Sequence, residues 1–139
     1  MDILLPIFFI LILLFAGVIL VFIVGKGRSA DGINKEKYHV AWLGIEQQLK
    51  RNDDNSFYLT ILNADKLLDQ ALRERGFKGE TMGERMKSAK GLWTNANQVW
   101  SAHKLRNKIA HETNVRVSFD DTRRALIAFK QGLKDMGAI

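Results

Sequence analysis

The sequence predicts an all-α protein, an antiparallel four-helix bundle preceded by a single transmembrane helix. Three observations carry that expectation. Residues 3–24 form one uncharged, mostly apolar run; the rest of the chain repeats apolar residues every three or four positions; and no segment alternates apolar and polar residues over the length of a strand. The organisation expected is an anchor over 3–24, a flexible tether over 25–33 and a helical bundle over 34–137.

The anchor comes first. A helix of this length rises about 1.5 Å per residue and spans roughly 33 Å, close to the hydrocarbon thickness of a bilayer. A cleaved signal peptide would need a positive leader and a shorter apolar stretch of about 7–15 residues. Here only Met1 and Asp2 precede the run, so a retained anchor is expected. Pro6 falls in the first helical turn, where its missing N–H costs little, and Gly17 is tolerated in a membrane helix. Lys26, Arg28, Lys35 and Lys37 all follow the run. The positive-inside rule then puts the N-terminus outside and the remaining domain in the cytoplasm, as a single-pass protein of the inner or plasma membrane.

The 115 residues after Val24 suffice for one core, which excludes a multidomain enzyme. All 21 Lys and Arg lie there against 14 of the 15 acidic residues, so this part carries +7. Such a surface suits a phosphate backbone or an anionic leaflet. The absence of cysteine excludes disulfides, a thiol nucleophile and Cys-ligated metal centres.

Gly25 to Gly32 is rich in glycine and small polar residues and reads as the tether. Tyr38, Ala41, Trp42, Ile45 and Leu49 share one stripe of a first helix, Asn34 to Arg51. Asn52 to Ser56 breaks it. A second helix, Phe57 to Arg75, aligns Phe57, Ile61, Ala64, Leu68 and Ala71 and stops at Gly76. Thr81 and Glu84 have capping-box spacing for a short helix ending near Gly91. The glycines of this turn match no phosphate-loop spacing, and no strand precedes them. A third long helix covers Asn95 to His111. The fourth covers Phe119 to Met136, capped by Ser118 and Asp121, with Leu126, Phe129, Leu133 and Met136 as its apolar stripe. Short connections between successive long helices favour antiparallel neighbours.

The third helix holds the chemistry. At about 100° per residue, with His103 at zero, Arg106 lies near −60°, Asn107 near +40° and His111 near +80°, while Ala102, Leu105 and Ile109 lie between roughly 200° and 260°. The expectation is a polar face opposite an apolar, core-facing stripe. Arg holds phosphate oxygens bidentately, imidazole moves a proton near neutral pH, and a carboxamide orients its neighbours. RNA supplies its own 2′-hydroxyl nucleophile, so such a face could cleave it without metal or other cofactor. His103 and His111 are about 12 Å apart along the axis and cannot share one metal ion. The competing reading is a solvated polar face that keeps the bundle soluble.

The string LRNKIAHE, Leu105 to Glu112, resembles the RNxxxH form of the R-x(4–6)-H signature of HEPN domains. These are small all-α domains found widely in prokaryotic toxin, antiphage and RNA-processing systems. The context is similar too: an earlier helix reading ADKLLDQAL, Ala64 to Leu72, and the motif late in a long helix followed by one more. The resemblance spans roughly Asn34 to Met136. It implies a metal-independent endoribonuclease that leaves a 2′,3′-cyclic phosphate and acts as a homodimer with its two motifs facing across a cleft. Arg106 and His111 match the two fixed positions, and Asn107 matches the polar residue after the Arg. His103, Lys104 and Lys108 are the accompanying candidates for binding RNA. An antitoxin or regulatory protein is a further expected partner. The membrane anchor departs from the usual soluble toxin, and some HEPN members bind nucleotides or partners without catalysis. The alternative is therefore a non-catalytic, membrane-bound helical module that binds a nucleotide, RNA or a protein.

Overall fold

A computed structural model describes residues 4–26 and 32–139 and is helical throughout its regular elements. The chain divides into two compact units, Met1–Asp31 and Gly32–Ile139. Within the first, α1 is one helix from Leu4 to Lys26, and the side chains described on it, 6–19, are all exposed. Among the described residues no helix is long and apolar enough to cross a membrane. Arg28 and the rest of 27–31, the middle of the expected tether, lie outside the described residues, as does Ile3 at the start of the expected anchor.

The second unit holds five helices: α2 (Lys35–Gln48), α3 (Asp54–Glu74), α4 (Met82–Ser88), α5 (Ala96–His111) and α6 (Phe119–Asp135). Their ends follow local chemistry. Asn34 Oδ1 accepts from Lys37 N at 3.0 Å to open α2. Asp53 opens α3 by accepting from Asn55 N, and Asn95 opens α5 by accepting from Gln98 N. Thr81 with Glu84, and Ser118 with Asp121, complete both expected capping boxes. At the end of α3, Gly76 takes φ +80° so that Phe77 N can reach back to Leu72 O at 3.0 Å. The first helix ends three residues before the expected Arg51. Ser56 captures the backbone of Lys50 there, accepting from its N–H and donating to its carbonyl, so the turn replaces a further helical turn.

The contacts fix the directions. Lys37 meets Glu74 and Asn63 meets Gln48, so α2 and α3 are antiparallel. Asp65 meets His103 while Tyr58 Oη donates to the Val115 carbonyl, which makes α5 antiparallel to α3. Thr94, just before α5, is held by Asp135 at the end of α6. Both α3 and α6 thus run opposite to α5 and parallel to each other, and the tilted rings of Phe57 and Phe119, 5.9 Å apart, bring their starts together. The unit is all-helical, as expected, and its four long helices alternate in direction along the chain, with α4 packed on α3. The core is Tyr38, Ile61, Leu68, Leu72, Met86, Phe129, Leu133 and Met136, all fully buried. Each such large apolar side chain contributes about 1.5–3 kcal/mol relative to exposure.

One helix is rotated from its expected setting. The expected inner stripe of α5 was Ala102, Leu105 and Ile109, but the residues buried on it are Val99, Ala102 and His103, and Leu105 and Ile109 are only half-buried. On the same helical wheel this turns the inner face by roughly 80°. The cause is a polar partner inside the bundle, the carboxylate of Asp65, which is 3% exposed.

Candidate functional site

Asp65 projects from the middle of α3 and organises the facing surface of α5. Its Oδ1 lies 2.7 Å from His103 Nδ1, and its Oδ2 lies 3.2 Å from Arg106 Nε. The latter is an ion-pair contact in which the Nε–H is not aligned on the oxygen. Arg106 Nη1 donates to Asn107 Oδ1 at 3.0 Å, and Asn107 Nδ2 stands 3.3 Å from His103 Nε2. Four side chains thus close a ring: Asp65, His103, Asn107, Arg106 and back to Asp65.

The donor and acceptor roles around the ring follow from one another. Arg106 has only donors, so the oxygen of the Asn107 amide faces it and the amide nitrogen faces His103. His103 Nε2 accepts that N–H when Nδ1 carries the proton and donates it to Asp65. The Nδ1–H tautomer is the one that lets both ring nitrogens of His103 pair. Trp100 places its ring edge-on to His103 at 6.1 Å and packs beside Gly83 of α4. The imidazole is thereby enclosed by α3, α5 and the Trp100 ring.

The six motif candidates separate into two groups. Arg106, Asn107 and His103 belong to the ring; His103 is 7% exposed and offers no free nitrogen, whereas the Arg106 side chain keeps 34% of its surface open. Lys104, Lys108 and His111 are exposed. They lie near +100°, +140° and +80° on the helical wheel and form a cationic solvent stripe on α5. The single shared face expected for Arg106 and His111 is therefore split: Arg106 turns toward α3 and His111 turns outward, roughly 140° away. Asn107, half-buried, sits between the two groups.

Asp65 carried no weight as a site residue in the sequence. The signal that could have found it is an acidic residue at the edge of the apolar stripe of the second helix, next to Ile61, Leu68 and Leu72 on the helical wheel. A buried carboxylate there requires a cation or donors from a neighbouring helix.

The surroundings are open. The apolar groove between α5 and α6 is lined by Gln98, Ser101, Leu105, Arg124, Ala125 and Ile127, and none of the six candidates lines it. Just beyond His111, the loop before α6 carries exposed Arg116 and turns at Asn114 with φ +64°. Asp121 at the edge of this loop is held below the usual carboxylate range by the Ser118 hydroxyl and then by Arg124. Among the described residues, no three His, Asp or Glu side chains gather in a way that could hold a metal ion. Compared with family models, with curated proteins and with solved structures, the chain matches none.

Proposed function

We propose that the chain is a membrane-anchored, HEPN-like endoribonuclease that cleaves RNA without metal. The observation that carries this reading is the Arg106 guanidinium, held on its inner edge by Asp65 and Asn107 while its outer part remains open. A guanidinium held in this way binds a phosphodiester oxygen without first losing its own freedom. Lys104 and Lys108 supply sequence-independent attraction for the backbone. His111 takes or returns the proton. In the reaction the 2′-hydroxyl loses its proton and its oxygen attacks the adjacent phosphorus. The bond to the 5′-oxygen breaks, and that oxygen gains a proton. A 2′,3′-cyclic phosphate and a 5′-hydroxyl remain, with Arg106 opposing the charge that builds on the phosphoryl oxygens.

Arg106 and His111 diverge on one helix, so the reading includes a homodimer in which His111 of one copy approaches Arg106 of the other. Residues 3–24 serve as the anchor in this reading, supported by the uncharged run itself and by Lys26, Arg28, Lys35 and Lys37 after it. That orientation puts the bundle in the cytoplasm, where RNA is found, and leaves its surface available to an antitoxin or regulatory protein. The test is full-length protein in detergent micelles, incubated with RNA and EDTA. Cleavage that persists in EDTA and falls at least about 100-fold in Arg106→Ala and His111→Ala supports the reading. No cleavage of structured or unstructured RNA, or cleavage indifferent to both substitutions, overturns it.

The divergence of Arg106 and His111 also favours a second reading, a non-catalytic helical module that binds a nucleotide, RNA or protein partner at the membrane. Binding of RNA by the wild type, with no cleavage and with salt-sensitive loss in Lys104→Ala and Lys108→Ala, is the outcome expected of it.

A further inference from the structure

We infer that Asp65 is the positioning residue of this site, setting both the Arg106 guanidinium that meets the phosphate and the tautomer of His103 behind it. The inference rests on the ribonuclease reading for its catalytic consequence and on the ring geometry for its structural one. Asp65 and His103 form a buried pair 2.7 Å apart, and neither touches solvent enough to meet a polymer itself. The mechanism above uses neither. Yet a buried carboxylate is costly unless its oxygens are occupied, and an apolar pair of similar volume packs a bundle at least as well. The ring therefore has a feature that packing does not require: its one half-exposed charge, Arg106, stands at its mouth.

The pair of buried Arg85 with partly buried Asp69 behaves differently. Arg85 is 5% exposed; its Nε and Nη2 both meet Asp69, and its Nη1 donates to the Gly79 carbonyl at 2.6 Å. Every edge of that guanidinium is used, and the pair staples α4 and its loop to α3. Arg106 makes one hydrogen bond, from Nη1 to Asn107, and an ion-pair contact from Nε to Asp65 without an aligned hydrogen bond, and about a third of its side chain stays open. An arginine side chain carries about 2 kcal/mol of rotamer entropy. Asp65 removes that freedom before substrate arrives, and its charge allows the guanidinium to sit half-buried. His103, with Nδ1–H on Asp65 and Nε2 toward Asn107, keeps the Asn107 oxygen pointed at Arg106. The two paths from Asp65, direct and through His103 and Asn107, converge on the same guanidinium.

The experiment uses full-length protein in detergent micelles with two variants, Asp65→Asn and Asp65→Glu. Long-range proton–nitrogen NMR of the histidine and arginine side chains reads the ring without any need for activity. The wild type shows His103 as the Nδ1–H tautomer and a resolved, slowly exchanging Arg106 Nε–H. Asp65→Asn averages both signals. In RNA cleavage the same variant lowers kcat by about 10–100-fold and leaves KM within about threefold, because the phosphate still finds Arg106 but in the wrong pose. Asp65→Glu keeps the charge, displaces it by one methylene and falls between the two. If Asp65→Asn does not fold, as judged by near-ultraviolet circular dichroism, the comparison of wild type with Asp65→Glu decides. NMR signals and kcat unchanged in the folded variants overturn the inference, as does a loss confined to KM. A wild type that cleaves no RNA sinks the ribonuclease reading alone, and the NMR comparison still decides what Asp65 holds.

Discussion

Asp65 Oδ1 and His103 Nδ1 lie 2.7 Å apart between α3 and α5, and this contact decides which face of α5 looks inward. The carboxylate is a polar group enclosed in the bundle that water does not reach, so the helix turns its own polar residues toward it. Leu105 and Ile109, the expected inner residues, move to the flank in exchange. Polar satisfaction outweighs the apolar stripe at this position because an unpaired buried charge costs more than two half-buried aliphatic side chains gain.

The stability consequence can be measured. Asp65→Ala removes one partner of a buried network and strands Arg106 and His103, which costs about 3–5 kcal/mol in urea unfolding. In a double-mutant cycle with His103→Ala the two losses are non-additive, with a coupling of about 0.5–3 kcal/mol. Additive losses would show that the two side chains are neighbours without being coupled.

The same contact marks the limit of what the sequence makes legible. Helix ends set by local chemistry can be read directly: Ser118 with Asp121 and Thr81 with Glu84 cap the helices that their spacing announces, and Gly76 ends α3. The three- and four-residue recurrence of Tyr38, Trp42 and Ile45, or of Leu126, Phe129 and Leu133, is likewise enough to give a buried face. α5 is different because its polar and apolar residues are nearly balanced around the helix. Which face turns inward depends on Asp65, which is 38 positions away from His103. A helical wheel of α5 alone contains no term for that partner. It groups Arg106 with His111 and leaves His103 in solvent.

Gly79 is held in place by the backbone that follows it. A Cβ built there would lie 2.7 Å from Arg85 N and 2.9 Å from Glu84 C, contacts that backbone atoms cannot relieve by changing a rotamer. Its carbonyl also accepts from Arg85 Nη1, so moving the loop loosens the pair with Asp69. Gly79→Ala is expected to cost about 1–3 kcal/mol. Arg85→Lys, which keeps charge but loses the two-pronged grip on Asp69, is expected to destabilise in the same direction. A Gly79→Ala protein with an unchanged urea midpoint would mean that the turn before α4 relaxes freely.

Acid should weaken the bundle through carboxylates that the fold holds charged. The Lys130 ammonium, donating at 2.8 Å, keeps Glu46 below its ordinary value of 4.5, and Ser118 keeps Asp121 below 3.8. A folded-state value below the unfolded one contributes stability that is present above the unfolded value and lost as pH falls through the folded one. The thermal midpoint is therefore expected to hold from pH 7 to about 5 and to drop below about 4.5. Glu46→Gln should flatten that limb. Both carboxylates are substantially exposed, so added salt should flatten it too.

Base acts through Tyr38, which is fully buried in the core. Burial pushes its hydroxyl above the ordinary value of 10.0, and the Glu74 carboxylate pushes it the same way. The sign is opposite to that of the carboxylates: the contribution is present below 10 and is lost as pH rises toward the folded-state value. The tyrosinate absorbance of Tyr38 should therefore appear only together with loss of helical circular dichroism. Tyr38→Phe should remove this alkaline step. A Tyr38 signal that titrates while the helices remain intact would show that the hydroxyl reaches water in the folded protein.

The three histidines offer a direct check on the split of the motif. His39 and His111 are exposed, whereas His103 is enclosed with a partner at each ring nitrogen. Acylation of imidazole by diethyl pyrocarbonate needs a free ring nitrogen, so peptide mass spectrometry of the folded protein should find His39 and His111 modified and His103 spared until denaturant is added. On the ribonuclease reading, loss of cleavage follows the modification of His111, and a His39→Gln protein loses activity at the wild-type rate under the reagent. Modification of His103 at the rate of His111 would mean that the Asp65 ring opens readily. Arg106 would then have no fixed pose, and the preorganisation argued for it would fail along with the ring.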